Sequence, residues 1–289
     1  MKVTGIADSA FRKCTKLRYV RIPTTLIRYG SYAFSGCTSL VLNELDLSNV
    51  TSIGDCALSD TTVRKVITTG TAPYSSSLSS SYHPFYNVNG FESLCIIYGG
   101  TVIDNMLSSS MKRTIRRVNI PSTVTAIREN AFDGCSVLNV ALTISSNVRS
   151  IGSCSFRNTG IVFSSVDLTG TTENNSVGNN AFSGTTVKKL IVGDRGVMNS
   201  NSVANVADTF YCVKGFDTLE YKDGTKTAPN VLSSSMRKTV TEIAVPGTVK
   251  TIADRAFADC TLLREIRIPR SATVGTNTFY NCSAAVRYY

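Results

Sequence analysis

One histidine and nine cysteines are the side chains of this 289-residue chain best suited to nucleophilic or metal chemistry. The histidine, His83, sits in a run from Ser75 to Pro84 dominated by serine, so hydroxyls surround the one imidazole that could serve as a base. A Ser-His-Asp relay would need a carboxylate behind that ring and a rigid turn presenting the serine. The run instead has the composition of a solvated bulge between ordered segments. The chain has no nucleophile elbow, no Gly-rich phosphate loop and no paired histidine ligands, and its acidic residues are scattered rather than set as a convergent carboxylate pair. We therefore expect no catalytic residues, no cofactor and no metal.

The cysteines are ordered by something other than chemistry. Cys14, Cys37, Cys135, Cys260 and Cys282 occupy one slot of a recurring phrase, and Cys56 and Cys154 occupy another, two residues before a Phe-type position. Spacings of about 22–24 residues are unlike the two-to-four-residue pairs of a zinc site. A free thiol is a small hydrophobe that buries well, so these positions are expected to stack in a core. Cys95 and Cys212 fall off the ladder and are expected to be the reactive thiols.

What must position all of these is a repeat. Ten stretches share one phrase, clearest in Ile127–Cys135 and Ile252–Cys260. Its Phe-type residues are Phe11, Phe34, Leu58, Phe85, Phe132, Phe156, Phe182, Phe210, Phe257 and Phe279, separated by 23, 24, 27, 47, 24, 26, 28, 47 and 22 residues. Each gap of 47 is two units with a degenerate middle phrase, around Leu107 and Leu232. The period is 23–24 residues, with about twelve coils, inside the leucine-rich-repeat window. A longer duplication lies on top: Phe85–Leu138 aligns without a gap on Phe210–Leu263. Recurrence of this kind builds a stack of small units rather than a globule.

Each coil has the same parts. Segments such as Leu17–Ile22 and Leu263–Ile268 end in the alternation of a half-buried strand. Proline follows four times, at Pro23, Pro121, Pro246 and Pro269, where a missing N–H suits a strand end. A Val-x-x-Ile step comes next, as in Val124/Ile127 and Val249/Ile252, as a second extended segment. Ala-Phe-x-x-Cys closes the coil as a turn or a single helical turn.

Ile-Pro, Val-x-x-Ile and Ala-Phe-x-x-Cys in fixed order, at a period near 23, resemble the BspA-type leucine-rich repeat over essentially the whole chain. The resemblance is weakest at Leu107, Leu232, Leu58 and Thr185, where Phe or Cys is missing. It implies a solenoid with a parallel sheet on one face, on a surface or secreted protein that adheres to host proteins or other cells. It supplies no residue-level binding motif.

Charge adds a second observation. Thirty Lys and Arg against twenty Asp and Glu give a net charge of +10. Several basic residues lie beside or within the strands. If Val20, Ile22, Val118, Ile120, Ile266 and Ile268 point inward, the residues between them point out. The candidate binding surface is therefore Tyr19, Arg21, Lys65, Arg117, Asn119, Lys189, Glu242, Glu265 and Arg267, a ladder rich in positive charge. Glu242 and Glu265 interrupt it, which counts against a pure polyanion site, and Tyr19 alone could stack on a base, which counts against nucleic acid. Three sequons, at Asn49, Asn174 and Asn281, are at the frequency chance gives in a chain so rich in Asn, Ser and Thr.

No run of 18 apolar residues is present, so no membrane-spanning helix is expected. The first residues run straight into a repeat, with Asp8 and Arg12 where a signal peptide would be apolar. The chain is thus expected to be a segment of a longer protein, or one whose ends dock on something else. The sequence predicts an α+β/β solenoid, one continuous leucine-rich-repeat stack over residues 1–289, duplicated roughly as 1–112, 113–237 and 238–289. Its expected role is non-catalytic binding of a protein or glycoprotein on another cell or matrix surface. The alternatives are a structural spacer or fibre segment, and an electrostatic binder of anionic polysaccharide. The loops at 70–83 and 194–208 hold matching places in the two blocks.

Overall fold

The computed structural model describes residues 2–69, 73–74, 81–97, 101–102, 106–171, 177–193, 209–222, 227–228 and 231–289. They form two compact units, Met1–Val124 with Ala131–Val140 and Thr125–Asn130 with Ala141–Tyr289. In both, the chain winds in coils that each re-enter in the same direction, and every strand pairing recorded is accordingly parallel.

In the first unit, strands β1 (Leu45–Asp46), β2 (Lys65–Thr68), β3 (Ser93–Ile96) and β4 (Arg117–Asn119) stand side by side in that order. Leu45, Val66, Leu94 and Val118 share one register position and point inward. In the second unit a seven-stranded sheet runs β5 (Ala141–Ile144), β6 (Val162–Asp167), β7 (Thr186–Val192), β8 (Gly215–Tyr221), β9 (Glu242–Ala244), β10 (Glu265–Ile268) and β11 (Ala285–Tyr288). Val166, Leu190, Leu219 and Ile243 form its inward row. The Val-x-x-Ile steps make two-residue strands of a second sheet, as where Gly5–Ile6, Arg28–Tyr29 and Ser52–Ile53 lie in parallel.

The Phe phrase is a turn whose amides bond to the next coil rather than within a helix. Phe34 N–H donates to Ala57 O at 2.7 Å, Phe156 N–H to Ala181 O at 2.9 Å and Phe257 N–H to Thr278 O at 3.0 Å. The rings stack with their neighbours: Phe182 lies 4.8 Å from Phe210 and 5.7 Å from Phe156. Backbone crowding explains the glycine four residues before Phe182 and Phe156. A Cβ on Gly152 would lie 2.3 Å from Glu129 N, inside the backbone of the preceding coil.

The two degenerate phrases are a second packing solution. Ser109–Lys112 (α1) and Ser234–Arg237 (α2) are single helical turns, capped by Ser108 and Ser233, whose hydroxyls accept from Met111 N and Met236 N. Met111 and Met236 on these turns are buried, as are Leu107 and Leu232 in the Phe-type slots before them. From α2, Arg237 reaches into the next turn: its Nε donates to Leu232 O and its Nη1 to Arg255 O, both at 3.1 Å, and to Ala258 O. Desolvation lowers the Arg237 pKa, and these carbonyls supply the hydrogen bonds that such a buried cation requires.

The chain is a leucine-rich-repeat solenoid of about ten turns, not the twelve counted from the Phe ruler. All ten Phe-type slots from Phe34 to Phe257, the two Leu substitutes Leu107 and Leu232 included, are buried, whereas Phe11 is 37% exposed and Phe279 is half-buried. The expected strand Leu17–Ile22 also does not form. Its neighbour breaks into Val41–Leu42 and Leu45–Asp46 around Asn43 and Glu44. The Arg18 carbonyl is met only by a long 3.4 Å bond from Val41 N–H.

Candidate functional site

The outward rows of the two sheets carry most of the candidate surface. In the first unit Lys65, Ser93 and Arg117 share a register position, and Ile67, Cys95 and Asn119 form the next outward row. In the second, Lys189, Thr218 and Glu242 share one row, while Ile191, Glu220 and Ala244 share the next. Arg267 is opposite Ala244, and Arg287 opposite Arg267. Lys65, Arg117 and Asn119 are thus brought together in one unit, and Lys189, Glu242, Glu265 and Arg267 in the other. Tyr19, 74% exposed, and Arg21, also exposed, lie on the segment that forms no strand and stand outside both ladders.

The expected positive stripe is corrected by its neighbours. Lys65 Nζ is 2.8 Å from Glu44, and that hydrogen bond raises the lysine pKa. Arg117 lies 3.5 Å from Glu92, which also holds Arg64 at 3.0 Å. Lys189 pairs with Glu220 at 2.5 Å and Lys188 with Asp217 at 3.0 Å. Glu265 accepts from Arg267 and from Arg287, each at 2.9 Å, and the Arg267 hydrogen bond is the main reason its carboxyl titrates below the usual range. The Asn119 amide turns back to Ile96 O at 3.1 Å. The surface is a lattice of compensated charges with Ile191, Thr218 and Ala244 between them, not a field of free cations.

The acidic partners Glu44, Glu92, Asp217 and Glu220 were missed by reading the basic residues alone. A signal was present: Glu92 and Asp217 fall one coil beyond Arg64 and Lys188, at the same point of the duplicated block.

The histidine is not solvated. His83 is buried, its Nδ1 accepts from Phe85 N–H at 3.1 Å, and its ring meets Tyr74 edge-on at 5.2 Å. Packing of the returning coil explains this: the Ser-rich run ends on a turn that enters the core. The remainder of the 70–83 loop apart from residues 73–74 and 81–83, all of the 194–208 loop and the Asn174 sequon lie outside the described residues.

Cys37, Cys56, Cys135 and Cys260 are buried, in line with a stacked thiol ladder, while Cys282 and Cys154 are half-buried. Cys14 departs from the expectation and is exposed. Cys212 is exposed and Cys95 half-buried on its sheet row. Burial pushes the Cys135 and Cys260 thiols up to about 12. Among the described residues no cluster of His, Cys, Asp and Glu could hold a metal ion, and no helix is long and apolar enough to cross a membrane.

Parallel strands at a fixed coil period, a Phe turn bonded to the next coil and a second two-residue sheet define a leucine-rich-repeat protein. The BspA type Leucine rich repeat region matches in six copies, over residues 1–106, 101–206 and 233–287. The chain belongs to that family. Among solved structures it is similar to a leucine-rich repeat protein from Bacteroides ovatus, at 16% identity and a TM-score of 0.42 over 99% of this chain and 88% of that one. A leucine rich cell surface protein from Faecalibacterium prausnitzii matches at 19% identity and a TM-score of 0.35, covering 99% and 83%. A leucine-rich repeat protein from Eubacterium ventriosum matches at 17% identity and 0.31, covering 98% and 89%. No curated protein matches the chain.

Proposed function

We propose that this chain is a non-catalytic binding module of a surface or secreted protein. It takes a protein or glycoprotein of another cell or matrix surface on the outward rows of the β5–β11 sheet. The observation that carries the reading is the compensated lattice. Lys189 with Glu220, and Glu265 with Arg267 and Arg287, hold charges of both signs in fixed places, and Ile191, Thr218 and Ala244 lie among them. Fixed charges of both signs with small gaps between them give register and selectivity to a protein partner, and protein interfaces carry this mixture of polar and apolar area. A polyanion would meet repulsion from each carboxylate. Family membership supports the localisation.

The test is interferometry of the whole chain against immobilised extracellular-matrix glycoproteins, compared with a Thr218→Arg, Ala244→Arg variant. Both positions are on the sheet surface, so the added side chains block docking without entering the core. Saturable binding that the variant loses establishes the face. Equal binding by both proteins refutes it, and silence of both favours a spacer.

A further inference from the structure

The slot three residues after the Phe-type position is cysteine in two successive coils at only two places: Cys14 with Cys37, and Cys260 with Cys282. Cys37 is followed by Thr61, and Cys135 by Thr159 and then Thr185. These threonines turn their hydroxyls onto their own coils, Thr61 to Leu58 O at 2.6 Å, Thr159 to Phe156 O at 2.9 Å and Thr185 to Phe182 O at 2.6 Å. The later cysteine of each pair reaches the preceding coil instead. The Cys37 thiol donates to Phe11 O at 2.9 Å, and the Cys282 thiol donates to Cys260 O at 3.4 Å. A hydrogen bond from the Cys14 backbone meets the Cys37 sulfur as well.

Backbone bonds set the partners side by side. Lys13 N–H donates to Ser35 O at 2.7 Å, and a Cβ on Gly36 would lie 3.6 Å from the Lys13 Cα. Lys13 is therefore abreast of Gly36, and Cys14 of Cys37. Asp259 N–H donates to Tyr280 O at 2.8 Å and Asn281 Nδ2 to Asp259 Oδ1 at 2.9 Å, so Cys260 is abreast of Cys282. The residue before each of the four cysteines is left-handed, with φ of 59° at Lys13, 75° at Gly36, 60° at Asp259 and 51° at Asn281. Both members of a pair thus leave the same kind of turn in the same direction. Coils stacked at strand spacing put their Cα atoms about 4.8 Å apart, inside the ~4.4–6.8 Å span of disulfides.

We propose that Cys14–Cys37 and Cys260–Cys282 are modification sites, each pair closing in an oxidising medium to a disulfide that joins neighbouring coils. The oxidant is a small-molecule disulfide. One thiolate of a pair attacks it, forming a mixed disulfide and expelling one small thiol; the second thiolate attacks the protein sulfur of that bond and expels the other. The pair gives up two electrons and two protons, and the oxidant leaves as two thiols. The other five cysteines stand abreast of no cysteine in the repeat and stay reduced. An oxidising medium follows from the surface or secreted location proposed above, whereas the pairing itself does not depend on what the sheet binds. The titration and alkylation of Cys14 and Cys260 as thiols belong to the chain kept in reductant.

The experiment equilibrates the reduced whole chain with glutathione disulfide, unfolds it in guanidinium with N-ethylmaleimide and no reductant, and maps its peptides by mass spectrometry. Because the oxidant is supplied, the result is independent of where the protein resides. The chain should stay monomeric and lose four hydrogens, with linked peptides for Cys14–Cys37 and Cys260–Cys282 and label on the other five cysteines. In Cys282→Ala, Cys260 should take the label while Cys14–Cys37 persists, and Cys14→Ala should give the converse. The oxidised native chain should also melt at a higher temperature than the reduced one, a gain that dithiothreitol removes. Label on all nine cysteines, glutathione retained on one member of a pair, or bridges that join any other cysteines or two chains overturns the proposal.

Discussion

Replacing Phe182 by alanine should be among the most damaging single changes in the molecule. The ring is fully buried, lies 4.8 Å from Phe210 and 5.7 Å from Phe156, and meets Phe163 edge-on at 5.1 Å. Removing a buried Phe costs about 3–5 kcal/mol in transfer and cavity terms. Aromatic pairs add about 0.5–1.5 kcal/mol beyond burial, so the expected loss is at the upper end, about 4–5 kcal/mol. Phe11 occupies the same slot of its coil but is 37% exposed and stacks on Phe34 at 5.0 Å. Partly exposed in this way, Phe11→Ala should cost about 1–2 kcal/mol, well below the full cavity value. Phe182→Leu should cost about 1 kcal/mol, because Leu58 already fills this slot fully buried. Equilibrium urea unfolding followed by far-UV circular dichroism measures all three. Coils contact their immediate neighbours, so Phe182→Ala should also lower the urea slope as the transition divides at the weakened coil. A cost below 1 kcal/mol for Phe182→Ala, or equal costs at Phe182 and Phe11, would refute a core built by stacking coil on coil.

Gly152→Ala should destabilise by about 1–3 kcal/mol because its Cβ meets the Glu129 backbone at 2.3 Å, and a thermal melt unchanged from the native chain would contradict that crowding. The Tyr29 hydroxyl is buried without a hydrogen-bond partner among the described residues, so Tyr29→Phe should be neutral or stabilising by up to about 1 kcal/mol in urea; a clear loss would reveal a partner for the phenol. The Cys135 and Cys260 thiols rise from an ordinary value of 9.0 to about 12 on folding. Their contribution is therefore complete below pH 9 and is lost as pH rises from 9 towards 12. Between pH 8 and 10 each should lose about 1.3 kcal/mol, so the native chain should fall more steeply over that range than Cys135→Ala/Cys260→Ala, and parallel profiles would refute the assignment. Iodoacetamide should modify Cys14 and Cys212 in the native state while sparing Cys135 and Cys260, as followed by mass spectrometry; equal rates at all four would contradict the burial pattern.

The parts of the fold legible in the sequence are those that repeat. Phe182 and Phe156 have to occur at coil spacing because each is the floor of the next, so period and inward rows could be read from a list of positions. The degenerate phrases were harder, since Leu107-Ser108 and Leu232-Ser233 replace a turn by a capped helical turn and so share no motif with the coils around them. The failure at Leu17–Ile22 has another origin. Leu17–Ile22 has the alternation of a strand, but a strand exists only where a partner offers an unbroken edge, and Asn43 and Glu44 break that edge. Alternation describes one coil, whereas pairing is a property of two.

The same distinction governs the candidate surface. Lys65 and Lys189 have the same standing in the sequence as Lys13 and Lys16: each is a lysine beside an expected turn or strand. Their surroundings differ because stacking sets a residue beside the one a coil later or earlier, at a separation that varies between 21 and 31 residues in the pairs formed here: Lys65 with Glu44, Arg64 with Glu92, Lys188 with Asp217 and Lys189 with Glu220. That variation follows from insertions within individual coils, so a count along the chain does not reveal which bases are matched. Once register is known, the cations on the long sheets are seen to be matched: Lys65, Arg117, Lys188, Lys189, Arg267 and Arg287 each have an acidic partner. A partner selected by charge must therefore compete on the sheet with Glu220 for Lys189 and with Glu265 for Arg267 and Arg287, so what it reads there is the fixed pattern of both signs rather than a free positive field.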